Sequence, residues 1–475
     1  MIRRILALCI AMIIVLSIPF TALASDSIVI DFGDVAGEAG DINVDTYITA
    51  ADLVLLKKIL LGKTEPQSMK TANVNQMGGV DIKDLVRLKK IMIEVFGDFI
   101  NYRTPLTHTY TRLTQDKELK VLYFGGSVTA GTGSTSAGTY SWRALSGNWL
   151  KNKFPEADIT TINTAIGESG TFLGTYRIQD DVIAKNPDLI FIEYAINDHY
   201  KGSSKEVAAL QYETIVREIR TALPKCDIVT LLVTDKDVVS RDKLYDTAAG
   251  HEEMAEYYGI STVNVGQYLW DTIGQTKNDW YDYFTDIVHP TDLGYKIYFQ
   301  CLEEYLTNSL SAGVFTGLTD NDKVINPEIK SDYLLDGNRI AAMGYKLSNY
   351  VDNSRTTGFS YANEYFAGGS DNLHTGYYQT SGATTNAQIA FNFNGTEFAF
   401  WTNFRDSSEI TYSIDDGEWV TVECHKHAPM QVVTGLEVGG HTIVIKPSKY
   451  KSGIDAMKIH AIFTRDETLQ TVKAN

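Results

Sequence analysis

From about residue 116 the chain alternates short apolar runs with amphipathic stretches of helical period, and this alternation restricts the fold more than any other feature. The apolar runs are Val121–Phe124, Ile159–Asn163, Leu189–Glu193, Ile228–Val233 and Thr262–Val265. Helical periodicity fills Tyr140–Lys153, Thr175–Lys185, Ser204–Ala222 and Arg241–Tyr258, and a last helix is expected over Asp292–Leu310. Strand, helix, strand at this spacing predicts a parallel sheet covered on both faces, a three-layer α/β domain over residues 117–312. Such sheets place their sites at the carboxyl ends of the strands.

Beyond about residue 315 the period changes from 3.6 to 2. Ile389–Phe393, Ile410–Ile414 and His441–Ile445 alternate apolar with polar residues, separated by turns such as Asp415-Asp416-Gly417 and Gly439-Gly440. An antiparallel β-sandwich, a jelly roll over residues 318–468, is the expected result.

The first strand of the α/β domain runs into Gly125-Gly126-Ser127, which presents a hydroxyl where a helix can begin. Gly-Gly-Ser is also ordinary turn chemistry, so the serine gains meaning from what else reaches the same edge. Asp286 stands three residues before His289 on a turn that precedes the last helix; this spacing lets a carboxylate accept from Nδ1–H while Nε2 faces a serine. Gly167 follows the second strand and allows a close backbone approach, and Asn197 follows the third. The N–H groups of Ser127 and Gly167 with the Asn197 amide would form a three-donor oxyanion hole. His251 opens His-Glu-Glu-Met-Ala, which lacks the second histidine of a zinc-protease helix, and His425 and His427 beside Cys424 are not read as a metal site.

Ser127, Gly167, Asn197 and His289, in that order, resemble the four blocks of the SGNH hydrolases, also called GDSL esterases, over residues 117–312. The resemblance implies a flavodoxin-like domain in which Ser127 is the nucleophile, His289 the general base and Asp286 its orienting acid, with no cofactor for catalysis. Gly126 stands where the family name motif has aspartate, a departure expected to bear on substrate more than on activity. Tyr140, Trp142, Tyr194, Trp280, Tyr281 and Tyr283 are candidates to lie against sugar faces, with core packing the competing role for at least half of them. The sandwich resembles jelly-roll domains attached to carbohydrate esterases, through Gly395–Phe398, Ile414–Gly417 and Leu436–Thr442. Its exposed aromatics would come from Tyr377, Tyr378 or Trp401, or the domain would be a rigid wall of the cleft.

Nearer the amino terminus, two twelve-residue loops repeat at an interval of 32 residues, from Asp41 and from Asn73, each followed by an amphipathic helix. Oxygen side chains at loop positions 1, 3, 5, 9 and 12 suit a hard cation such as calcium. The repeat resembles a dockerin module over residues 38–97. That resemblance implies a small all-α calcium-loop domain, with calcium on Asp41, Asn43, Asp45, Thr49 and Asp52 and on Asn73, Asn75, Asp81 and Asp84, and a cohesin of a scaffold protein as partner. Thr46 replaces the usual loop glycine and Met77 an oxygen ligand, so the second site is expected to be weaker. Ala50 and Ala51, with Ile82 and Lys83, occupy the positions that would read the cohesin.

Residues 1–24 have the pattern of a cleaved signal: Arg3 and Arg4, an apolar run from Ile5 to Leu16, and Ala22-Leu23-Ala24. The run is shorter than the ~20 residues a membrane span needs. Without residues 1–24 the formal charge moves from -17 to -19 with the loss of two arginines, which argues against nucleic acid and anionic membranes and suits a neutral polysaccharide. Cys226, Cys301 and Cys424 then remain, an odd and widely spaced set that implies no disulfide framework. Together these features predict a secreted, cellulosome-bound esterase that removes O-acetyl groups from xylan or mannan. A lipid or aryl esterase of the same fold and a non-catalytic glycan-binding scaffold protein are the alternatives.

Overall fold

The computed structural model describes residues 42, 55–56, 58–74, 80–81, 99–240, 243–310, 337–362, 377–380, 386–402, 408–424, 429–449 and 457–470. The expected signal segment lies outside them. Among the described residues no helix is long and apolar enough to cross a membrane.

A six-stranded sheet organises the α/β domain. Its strands are β1 (Ile100–Asn101), β2 (Glu118–Gly125), β3 (Asp158–Asn163), β4 (Leu189–Glu193), β5 (Asp227–Leu231) and β6 (Ser261–Val263), in the order β1-β6-β5-β4-β2-β3. Strands β2 to β6 run parallel, and β1 pairs antiparallel with β6. That edge strand precedes the expected start of the domain and was not anticipated. Residues alternate between two cores: Val121 and Tyr123 face one, Leu122 and Phe124 the other, and Leu189 and Phe191 alternate likewise with Ile190 and Ile192. A sheet buried on both faces explains why these runs read as continuously apolar.

The helices that bear on the site are α1 (Ser127–Ala130), α2 (Trp142–Lys153), α3 (Thr171–Asp181), α4 (Ala195–Tyr200), α5 (Lys205–Ala222), α6 (Asp246–Tyr257), α7 (Val265–Thr272) and α8 (Asp292–Ser309). Ser141, Ser204 and Thr291 cap α2, α5 and α8 by accepting from Ala144, Val207 and Gly294 N–H. Helix α7 is a departure from expectation. Asn264 accepts from Gln267 N–H at 3.0 Å, so Val265 opens a helix where the apolar pattern continues the strand.

The carboxyl-terminal domain is a two-sheet antiparallel sandwich. One sheet runs β10 (Ile389–Asn394), β15 (Gly440–Lys449), β12 (Ser408–Ile414), β13 (Val420–Cys424). The other runs β14 (Pro429–Thr434), β11 (Glu397–Thr402), β16 (Lys458–Gln470), β9 (Tyr377–Thr380), β8 (Phe359–Ala362), with β7 (Gly337–Met343) also paired to β16. Phe391, Phe393, Phe398, Phe400, Ile410, Ile443, Ile445, Ile459 and Ile462 fill the space between the sheets. The β11–β16 ladder shifts register between Trp401 and Thr402, which face Ala461 and Ile459. His460 is therefore an extra residue, and it moves β16 from one inward set to the other. Ile459 joins the sandwich core while Ala461 and Phe463 turn outward, and these two, with Ala399 and Trp401, meet Ile166, Leu173 and Tyr176 of the α/β domain. Trp401 and Tyr378 are thus buried, not offered to a glycan; the exposed aromatics of the described sandwich are Tyr361 and Trp419. Cys226 and Cys301 are buried and form no disulfide among the described residues.

Candidate active site

The sheet order sets β3 on one side of β2 and β4 on the other, so the chain leaves β2 and β4 in opposite directions and opens a crevice at their carboxyl ends. Gly125 of β2 is in register with Glu193 of β4, and the two strands deliver Ser127 and Asn197 to that crevice. The turn between β2 and α1 has no room for side chains. A Cβ on Gly125 would lie 2.3 Å from Thr129 Oγ1, and one on Gly126 would lie 1.9 Å from Asn197 Nδ2. Position 126 is glycine because the Asn197 amide occupies the space. The departure from the family motif therefore has a packing reason besides any effect on substrate.

Ser127 is half-buried. Its Oγ lies 2.8 Å from His289 Nε2, and His289 Nδ1 lies 2.6 Å from Asp286 Oδ2. The other Asp286 oxygen accepts from the N–H groups of Val288 and His289, both at 2.8 Å, which closes the turn on itself. Burial alone would raise the Asp286 carboxyl, but its bond to the His289 ring and these backbone donors hold it below the usual carboxylate range. Helix α8 ties the turn to α1. The buried Tyr295 hydroxyl lies 3.0 Å from Val128 O and 2.7 Å from Thr132 O, and Asp292 accepts from Thr135 N–H at 2.8 Å.

Gly167 faces the serine across the crevice; a Cβ there would stand 3.8 Å from Ser127 Cβ. Among the described residues the N–H groups of Ser127 and Gly167 have no hydrogen-bond acceptor, which leaves both available to an incoming oxygen. Asn197 Nδ2 donates one hydrogen to Ser169 O at 2.7 Å and keeps the second. Glu168, between Gly167 and Ser169, adopts φ +63°, a left-handed conformation uncommon outside glycine, asparagine and aspartate.

Two buried acids support this edge, and neither was expected from sequence. Asp198 accepts from Thr171 N–H at 2.8 Å and Thr171 Oγ1 at 2.9 Å, and lies 2.9 Å from His251 Nε2, so it joins α4 to the end of the Gly167 loop. Glu193 accepts from Thr129 Oγ1 at 2.7 Å, while its Oε1 is buried without a partner. Burial pushes Glu193 up to about 8, so it is protonated at neutral pH. A charged residue closing the apolar run Leu189–Ile192 was the available signal for Glu193.

Of the expected rim aromatics, Trp142, Tyr194 and Trp280 are buried, Tyr283 packs against the core, and Tyr140 and Tyr281 are exposed. Of the expected calcium ligands, Asp41, Asn43, Asp45, Thr49, Asp52, Asn75 and Asp84 lie outside the described residues. Asn73 closes the short helix Met69–Ala72, and Asp81 is partly buried. The proposed donors are all side-chain oxygens, the chemistry calcium prefers. Among the described residues no cluster of three His, Cys, Asp or Glu could hold a metal ion.

Residues 123–297 match the GDSL-like lipase/acylhydrolase family, and residues 39–93 match the dockerin type I domain. No curated protein matches the chain. Among solved structures, the fold is similar to a two-domain esterase active on acetylated mannans, at 18% identity and TM-score 0.62 over 78% of this chain and 98% of that one. The same kind of esterase co-crystallised with mannopentaose matches at 17% identity and TM-score 0.59, over 79% and 99%. At this identity the likeness speaks for the fold, and it extends across both the α/β domain and the sandwich.

Two expectations follow. Gly126→Ala displaces an Asn197 amide already tethered to Ser169; if that amide serves as an oxyanion donor, kcat on a small ester falls by about 10²–10³ with little change in KM. For Glu193 the folded state holds a proton that the unfolded chain releases above about 4.5, so its contribution is complete below that pH and is lost as pH rises through about 8. The melting temperature of Glu193→Gln should accordingly fall less between pH 5 and pH 9 than that of the parent, as calorimetry would record.

Proposed function

We propose, starting from the GDSL-type acylhydrolase domain and the type I dockerin domain that this chain carries, that the protein is an extracellular carbohydrate esterase. It removes O-acetyl groups from plant hemicellulose, acetylated mannan first and xylan second. The observation that carries the reading is the chain of hydrogen bonds from Ser127 Oγ through His289 to Asp286, at 2.8 and 2.6 Å, beside two N–H groups without acceptors.

In this reading His289 Nε2 takes the Ser127 proton as Oγ attacks the acetyl carbonyl carbon, and Asp286 holds the ring in the tautomer that can accept. The carbonyl oxygen becomes an oxyanion received by Ser127 N–H, Gly167 N–H and Asn197 Nδ2. Collapse expels the sugar oxygen, which leaves with the proton from His289, and the acetyl group stays on Ser127. Water then gives a proton to His289 as its oxygen attacks the acyl carbon; collapse breaks the bond to Ser127 Oγ, which recovers the proton from His289, and acetate is released.

The preference for mannan is supported by the fold shared with an esterase active on acetylated mannans along nearly its whole length. Type I dockerin identity supports calcium in the two amino-terminal loops and a scaffold cohesin as partner, and with them release from the cell. Calcium would order loops whose carboxylates otherwise repel one another.

Mass spectrometry of acetylated glucomannan and acetylated xylan after digestion should show acetyl loss from mannan ahead of xylan. Ser127→Ala should lower that rate at least about 10⁴-fold, as loss of an acyl-accepting serine does elsewhere. Cleavage of long-chain lipid esters with both polysaccharides untouched would refute the substrate class, and full activity in Ser127→Ala would refute the mechanism. Chelation with EDTA should abolish cohesin binding in a pull-down while the ester rate stays unchanged.

A further inference from the structure

The β-sandwich touches the α/β domain at a particular place, the segment that carries Gly167. Strand β11 is buried along its full length, Glu397 to Thr402. Phe398 and Phe400 point into the sandwich core, while Ala399 and Trp401 point the other way and pack with Ala461, Phe463, Ile166, Leu173 and Tyr176. An antiparallel sandwich strand ordinarily leaves its outer face to solvent. Here that face is closed by the residue next to Gly167 and by the helix that follows it.

Polar contacts reinforce the same junction. The Tyr176 hydroxyl donates to Glu397, Arg339 Nη1 lies 3.3 Å from Glu397 Oε1, and the Arg339 guanidinium sits 4.6 Å over the Tyr176 ring. Helix α3, which supplies Leu173 and Tyr176, also grips both ends of the Gly167 loop. Arg177 donates to Thr164 O at the start, and Thr171 is bound by Asp198 at the end. Any displacement of α3 must therefore move the segment 164–170 that places one of the oxyanion donors. Within that segment Ile166 N–H bonds to Gly125 O and Ser169 N–H to Ile166 O, but Glu168 is left-handed, so the loop holds an uncommon backbone conformation that its surroundings must maintain.

We infer that the β-sandwich acts as a brace for the oxyanion-hole loop, with Phe463, Trp401 and Glu397 as positioning residues that fix Gly167 through Ile166 and α3. The inference rests on the esterase reading for its catalytic consequence but not for its mechanical part. A domain that only binds glycan would change affinity for polysaccharide and leave the turnover of a small ester alone; a brace changes that turnover.

The test compares the full chain with Phe463→Ala, with Phe463→Leu, which retains bulk, and with Tyr176→Phe, a milder change that folds if Phe463→Ala does not. Trp419→Ala, an exposed residue of the β12–β13 connection, is the control. Hydrogen–deuterium exchange should show the amides of residues 164–171 exchanging at least tenfold faster in Phe463→Ala, severalfold faster in Tyr176→Phe, and unchanged in Phe463→Leu and Trp419→Ala, with β2 and β4 unaffected throughout. On p-nitrophenyl acetate, kcat should fall about tenfold in Phe463→Ala with KM within twofold. Unaltered exchange in the loop of the folded variants overturns the brace regardless of any activity. Faster exchange with kcat unchanged overturns the positioning role, while a parent protein no faster than Ser127→Ala on this ester overturns the esterase reading and leaves the exchange result to decide the mechanical claim.

Discussion

The hydrogen bond between Ser127 and His289 joins residues 162 positions apart, and much of the α/β domain can be understood as the means of closing it. A bond of about 2.8 Å tolerates little slack between its supports. One partner is fixed by the β2 turn, where Gly125 and Gly126 leave room for the Thr129 side chain, the Glu193 carbonyl and the Asn197 amide. The other is fixed by a turn whose carboxylate, Asp286, is bonded to its own backbone as well as to the imidazole. Helix α8 then locks the two together, since Tyr295 and Asp292 reach back to the residues just after the serine. These contacts fix the geometry before substrate arrives, so little reorganisation remains for the reaction to supply.

Much of this was legible in the sequence because it depends on local pattern. The run Leu189–Glu193 forms a strand with the expected bounds, and the helical pattern over Ser204–Ala222 becomes α5 with Ser204 as its cap, since apolar continuity and periodicity are short-range signals. The three residues of the Ser127 chain could be nominated because a turn with Asp at i and His at i+3 confines both side chains without help from the fold. What escaped depends on contacts between distant segments. Helix α3 begins four residues before the periodicity suggests, since the carboxylate that caps Thr171 belongs to Asp198, 27 residues away. Strand β1 is two residues long and exists only because β6 offers it an edge.

Aromatic residues show the same division. Trp142, Tyr194 and Trp280 lie close to the segments of Ser127, Asn197 and His289 in sequence, yet all three are buried, because a ring large enough to stack on a sugar is equally suited to fill a core. Trp401 is a sharper case. It is an outward residue of a sandwich strand, which alternation alone would expose, and it is covered by a different domain. Period-two patterning reports which side of a strand is apolar and is silent on whether solvent or protein lies beyond it.

The extra residue at His460 gives β16 two allegiances along its length. Met457 and Ile459 project into the sandwich, and beyond the bulge alternate positions divide between that interior and the neighbouring domain. Because side chains alternate with period two, a strand that kept His460 in regular alternation, without the bulge, would exchange the two sets, sending Phe463 inward and Ile462 toward the α/β domain. Insertions and deletions in this strand are therefore constrained by two packed surfaces at once, whereas the exposed Asp415-Asp416-Gly417 turn of the opposite sheet answers only to its own domain, through His441, Thr442 and Arg355.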